Sequence, residues 1–232
     1  MVYAMYRILP KKLIFLAFAW LVLSLMYLFG TVNGLRAGSA RIGAVPGLAW
    51  WIVLAVLYDP IWRFAWRKIA WLRNWFPDLN GDWDVEIRSN WSRQHQLLDA
   101  AASTTESFDT RARDPSHLVP LDTVRLKARI KQGWWKIEMQ MWNPAGDTPI
   151  LNSDTLLIDP FPADGLRRAG IAYFFKQRNQ TDEWSDASEF DGAAKVEYDH
   201  ETGKLSGFFW TTRVWQRAMN TAGTITFTRA SA

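Results

Sequence analysis

The chain has 232 residues, no cysteine and 15 tryptophans, so disulfides, thiolate metal sites and thiol catalysis are excluded, and a reducing compartment suits it. Charge is split: residues 1–73 carry nine Lys or Arg against the single acid Asp59, a net of +8, whereas residues 74–232 carry 18 against 22, a net of −4. General binding to a nucleic-acid polymer needs a basic domain, and the larger part of this chain is mildly acidic.

In chain order, the 23 residues from 13 to 35 are uncharged, and Leu13 to Phe29 are almost wholly apolar. This predicts a bilayer-crossing helix of about 20 residues. The run is too long for the h-region of a signal peptide and a second apolar run follows at once, so cleavage near Arg36-Ala37-Gly38-Ser39-Ala40 is not expected. Residues 42 to 58 form a second span at the lower limit of length, with Ile61, Trp62, Phe64 and Trp66 expected at the membrane interface. Arg7, Lys11 and Lys12 precede the first span and Arg63, Arg67, Lys68 and Arg73 follow the second, which places both termini in the cytoplasm. Asp59-Pro60 opens a basic, Trp-rich segment that reads as an interfacial continuation of the second helix, ended by Pro77. Two regions follow: an anchor over 1–76 and a second domain over 77–232.

From Asp78-Leu79-Asn80-Gly81 onward the pattern has period two. Trp83, Val85 and Ile87 alternate with Asp82, Asp84, Glu86 and Arg88, and Val124, Leu126, Ala128 and Ile130 alternate with Arg125, Lys127, Arg129 and Lys131. Trp135-Ile137-Met139-Met141 follows a Gln132-Gly133 turn, and strands are predicted near 153–159, 170–178, 193–199, 205–215 and 223–229. About eight strands with short connections and no convincing helix predict an all-β, up-and-down antiparallel barrel behind two transmembrane helices. Residues 92 to 118 fit least and are expected to form a long loop, with room for a strand near Thr104 to Phe108. A barrel of this size is filled by side chains or holds one small ligand.

Enzyme motifs are absent: there is no P-loop, no Gly-x-Ser-x-Gly, and His95, His117 and His200 are scattered. The chain is therefore not expected to be an enzyme or to hold a metal or cofactor. Asp82 and Asp84 resemble an acidic metal pair but share the outward face of a strand, and the sequons at Asn90 and Asn179 matter only in a secreted eukaryotic protein. Trp and Tyr faces stack on nucleobases, and Arg forks grip phosphates. Such residues interleave throughout the second domain, which suits a small, doubly anionic, two-base ligand.

With these features the chain resembles the two-transmembrane β-barrel effectors of bacterial cyclic-oligonucleotide anti-phage signalling, the CD-NTase-associated proteins of CBASS systems. The resemblance rests on the two-span anchor, Leu79-Asn80-Gly81-x-Trp83, Trp142-Asn143-Pro144, Gly192-Ala193-Ala194, and a final hairpin with Leu205-Ser206-Gly207-x-x-Trp210-Thr211-Thr212-Arg213 and Thr221-Ala222-Gly223-x-Ile225-x-Phe227-x-Arg229. Family members often carry Tyr where this chain has Trp142 and Trp210; Trp keeps the stacking face and loses the hydroxyl. The resemblance implies that a partner CD-NTase makes a cyclic dinucleotide on infection, that the barrel binds it, and that the spans then damage the inner membrane, with abortive infection as the outcome. Two helices per chain cannot enclose a pore, so damage requires a homo-oligomer in the lipid bilayer. The expected ligand residues are Trp142, Tyr173 and Trp210 for stacking, Arg213 for phosphate, and Asn143 or Thr212 for a base edge. Two rival readings are a membrane-tethered, lipocalin-like carrier of an apolar ligand, which would prefer a cavity without an inward arginine, and a structural interaction module with a filled barrel.

Overall fold

The computed structural model of the chain describes residues 11–33, 45–109, 111, 115–182 and 186–230; the link between the two apolar runs, with its small-residue stretch at 36–40, lies outside them. Eight strands close into one barrel: β1 (Gly81–Ser89), β2 (Asp122–Gln132), β3 (Ile137–Trp142), β4 (Ile150–Phe161), β5 (Gly170–Asn179), β6 (Glu189–Asp199), β7 (Lys204–Thr211) and β8 (Ala222–Arg229). Each strand pairs antiparallel with the next, and β8 pairs back onto β1, with Val85 opposite Phe227 and Ile87 opposite Ile225. The expected eight-stranded up-and-down barrel is borne out, and closure leaves no edge strand.

Period two sets the interior. Trp83, Val85 and Ile87 of β1, Leu126, Ala128 and Ile130 of β2, and Ile137, Met139 and Met141 of β3 are buried inside. Each large side chain removed from water in this way contributes about 1.5–3 kcal/mol. The outward positions of β1 carry charge: Asp82 accepts two hydrogen bonds from Arg129 across the ladder, at 2.6 and 3.0 Å, and Asp84 pairs with Lys127. Among the described residues no group of three or more His, Asp or Glu stands where it would hold a metal ion.

The Leu79-Asn80-Gly81-x-Trp83 motif has a structural reason. The Leu79 amide donates to Gln132 Oε1 at 2.6 Å, and Asn80 exchanges side-chain hydrogen bonds with the Gln132 backbone, donating at 2.9 Å and accepting at 2.8 Å. Trp83 Nε1 closes the knot on the Leu79 carbonyl at 3.0 Å. Gly207 serves the wall in another way, since a Cβ there would fall 1.9 Å from the Lys195 carbonyl oxygen.

Two departures from expectation concern helices. Residues 92 to 118 are not one long loop: Trp91–Ala102 forms a helix, followed by a short 3₁₀ turn at Pro115–His117, and no strand forms near Thr104 to Phe108. The helix buries none of its residues, so it carries no apolar stripe to announce it; Ala, Leu and Gln supply propensity alone.

The second departure lies in the anchor, whose helices are α1 (Lys11–Asn33), α2 (Val45–Val56), α3 (Asp59–Lys68) and α4 (Ala70–Trp75); with these labels the helix at Trp91–Ala102 is α5. The helices α1 and α2 touch through Phe18 and Trp50, edge to face at 6.4 Å, and expose large apolar side chains such as Phe15, Trp20, Leu23, Trp51 and Leu54. No single described helix is long and apolar enough to cross a membrane alone; α2 and α3 meet that criterion only as a pair bent by 69°. The bend turns α3 beneath the barrel, so it does not continue α2. Trp62 and Trp66, expected at the interface, are buried in the barrel's core cluster with Phe76 and Leu79, and Ile61 and Phe64 on the opposite face stay exposed. Trp62 stacks on Trp66 at 4.9 Å and meets Trp134 of the β2–β3 turn at 6.4 Å. Trp66 Nε1 donates to the Phe76 carbonyl at 2.9 Å, and the Trp134 amide donates to Asp59 at 3.3 Å. Three residues N-terminal to the expected boundary at 77 thus belong to the barrel's own core.

Candidate functional site

Alternating strand directions give the barrel two ends. The end facing the anchor, where β1 starts and β8 stops, is closed by α3 and its indoles. The far end is ringed by the described parts of the β1–β2, β3–β4, β5–β6 and β7–β8 connections, and there the interior opens into a cavity of about 290 Å³. Its floor and walls are chiefly apolar: Ile87, Leu126, Met141, Phe175, Phe209 and Ile225. Gly192 permits this packing, because a Cβ there would collide with the Phe175 ring at 2.3 Å.

Polar groups enter at three levels. At the mouth, Arg213 is the one cation among the described lining residues. It donates through Nε and an Nη to the two carboxylate oxygens of Asp186, both at 2.6 Å, and the pair is nearly enclosed, with side-chain exposures of 11% and 4%. The guanidinium face lies 3.6 Å from the ring centre of Trp91, the first residue of α5. Edge to carboxylate and face to indole is the geometry a planar, delocalised cation makes best. One level down, Thr211 and Thr221 share a hydroxyl–hydroxyl bond at 2.6 Å, and Gln177 donates to Asn179 at 2.9 Å.

Two further hydroxyls lie inside, Ser153 at the level of Gln177 and Tyr173 four residues deeper along β5. Ser153 on β4 and Tyr173 on β5 are each 1% exposed, both line the cavity, and neither Ser153 Oγ nor the Tyr173 OH has a hydrogen-bond partner. Burial pushes the Tyr173 phenol well above its ordinary range, so it stays protonated and able to donate.

The six residues expected to bind ligand separate. Tyr173 and Arg213 meet in this cavity. Trp142 ends β3 on the outer wall, 6.0 Å from the Arg129 guanidinium, and Trp210 is 52% exposed on the outer face of β7. Asn143 is occupied in the β3–β4 turn, accepting from the Ala145 and Gly146 amides at 3.1 and 3.2 Å and donating to Thr148. Thr212 fastens β6, donating to the Asp191 carbonyl at 3.0 Å and accepting from its amide at 3.2 Å. Three lining or mouth residues were not singled out from the sequence: Ser153, Trp91 and Asp186. For Ser153 the sequence held no signal, since it lies in the all-polar run Asn152-Ser153-Asp154-Thr155.

Comparison with known proteins bears on the same architecture. No family model matches the chain. Across 176 residues, 75% of this chain and 73% of the other, it is 28% identical to CD-NTase-associated protein 15 of Escherichia albertii. The chain is similar to a CD-NTase-associated protein. The resemblance read from the anchor and hairpin motifs is borne out, and the eight-stranded barrel fits it.

Proposed function

We propose that this chain is the membrane effector of a bacterial CBASS anti-phage system, with a cytoplasmic barrel that binds a cyclic dinucleotide made by a partner CD-NTase. Ligand binding drives several chains to assemble, and α1 and α2 of the assembly disrupt the inner membrane, ending in abortive infection. The reading assigns the chain no catalytic step and no cofactor beyond its activating ligand.

The observation that carries it is Arg213, which faces the cavity where a carrier of apolar ligands would have none. A phosphate would replace Asp186 on the guanidinium edge while Trp91 keeps the face, an exchange of one bidentate anion for another. The similarity to CD-NTase-associated protein 15 supports the partner, and the apolar side chains that α1 and α2 turn outward support lipid contact. The basic excess of residues 1–73 suits an anionic cytoplasmic leaflet. A lipocalin-like carrier remains the second reading because the cavity walls are mainly apolar.

The test is calorimetry and thermal shift of the full chain in detergent with a panel of cyclic dinucleotides. One member should bind and stabilise the fold by about 2.7 kcal/mol at a hundredfold excess over its Kd. No heat and no shift with any member would end the proposal. Reporter fusions at residues 1 and 232 should both read cytoplasm; a far-side reading at the C-terminus would separate the cavity from a cytoplasmic messenger.

A further inference from the structure

We infer that Ser153 and Tyr173 form a base-reading station: the barrel interior takes a planar heterocycle, and these two hydroxyls select it by hydrogen bonding to its edges. This rests on the proposed nucleotide ligand and says which part of it enters the barrel and what recognises it.

The cavity of about 290 Å³ has room for a ring system, and its lining runs from apolar walls to Arg213 at the mouth. A heterocycle that enters leaves its sugar and phosphate toward Arg213.

The lining decides what is recognised. Phe175 and Phe209 give flat apolar contact to a ring face. Such contact accepts any base, since every base has a π face. Selection needs groups that answer to an edge, and among the described residues that line the cavity, Ser153 and Tyr173 are the ones whose side-chain hydroxyls are buried without a partner. A buried unsatisfied hydroxyl costs about 1–3 kcal/mol, which a bound heterocycle edge recovers by supplying a partner. Ser153 sits opposite Met141 on β3 and Gln177 on β5, and Tyr173 opposite Ile158 on β4 and Ala194 on β6. The two hydroxyls therefore belong to different inward rows, four residues apart along β5 with Ser153 nearer the mouth, and can meet different points of a bound heterocycle. Each can donate or accept, so the position of a hydrogen-bonding edge in the cavity, more than its polarity, sets the match.

Sites that hydrogen-bond a substrate group discriminate far better than apolar slots do. The test measures binding to the full chain in detergent of adenosine, guanosine, cytidine and uridine, and of cyclic dinucleotides built from the same bases. Parent, Ser153→Ala and Tyr173→Phe proteins are compared. One base type should be preferred by the parent. Each variant should lose about threefold to tenfold in affinity for it and flatten the ranking among bases. Melting of the ligand-free variants should not fall, because each loses a hydroxyl that has no partner. Variants that keep the parent's affinity and ranking would overturn the inference while leaving cyclic-dinucleotide binding intact. Nucleosides that bind in a hydroxyl-dependent way while no cyclic dinucleotide binds would keep the station and remove the proposed function. A parent that binds neither class would overturn both, and a marked drop in ligand-free melting would assign the hydroxyls to structure.

Discussion

The two ends of the barrel are built from the same residue types and do opposite things. At the anchor end, Trp62, Trp66 and Trp134 pack on one another, and Trp66 is satisfied by the Phe76 carbonyl. At the far end, Trp91 also lies beside an ionic group, yet there the indole is half-open and backs the Arg213 guanidinium. Aromatic content alone says nothing about binding. Indoles packed on indoles seal one end; at the other, the indole behind Arg213 leaves the guanidinium edge turned to an anion, Asp186, whereas the Arg229 guanidinium over Trp83 is taken up by backbone carbonyls.

Breaking the sealed end should have the largest effect. Trp66→Ala removes a buried ring and its bond to Phe76, and about 3–5 kcal/mol of stability should go with it, measured by urea unfolding. A chain beginning at residue 77 should lose the whole α3 seal and bind ANS, whereas one beginning at Asp59 should not. Equal stability of the two would mean that α3 is dispensable to the barrel.

At the open end, Arg213→Ala should weaken cyclic-dinucleotide binding by about 2–5 kcal/mol, read by calorimetry, and should also destabilise the free protein by stranding Asp186. Asp186→Asn separates these two consequences. It frees the guanidinium from its resident carboxylate, so anion affinity should rise by about tenfold while stability falls. If affinity falls with stability, Asp186 belongs to the site as a ligand contact and not as a competitor.

The smallest effect is titration of the outer wall. Hydrogen bonding to Arg129 lowers the Asp82 pKa, hydrogen bonding to Lys176 lowers that of Glu189, and the Glu201 amide lowers that of Asp199. A lowered carboxylate stabilises the fold above its unfolded value and loses that contribution as pH falls through the folded one. Melting temperature should therefore hold through neutral pH and decline below about pH 4. These groups are exposed, so Asp82→Asn should reduce the decline only slightly and leave ligand binding unchanged.

The wall of the barrel was legible in the sequence because β1, β2 and β3 alternate cleanly. The irregular strand was not. β4 carries register shifts between Ile150 and Asn152 and between Thr155 and Leu157, so alternation counted along it loses phase and hides the inward direction of Ser153. The mouth was hidden for another reason: Trp91, Asp186 and Arg213 come from three connections, and no local pattern ties them together. The orientation of α3 was ambiguous in principle, since a basic helix with one aromatic face suits a lipid interface and a protein surface equally well. Only the presence of Trp134, Phe76 and Leu79 opposite that face decides it.

An even number of strands returns the chain to where it began. Arg229, at the end of β8, donates to the carbonyls of Asp78 and Asn80 and lies 4.1 Å from the ring centre of Trp83, while the Ala230 amide donates to Asp82 at 3.1 Å. The strand that follows the N-terminal helices is therefore bonded on both flanks, to β2 and to β8. A load applied along it would be shared by the rungs of two ladders in shear, instead of peeling them one at a time.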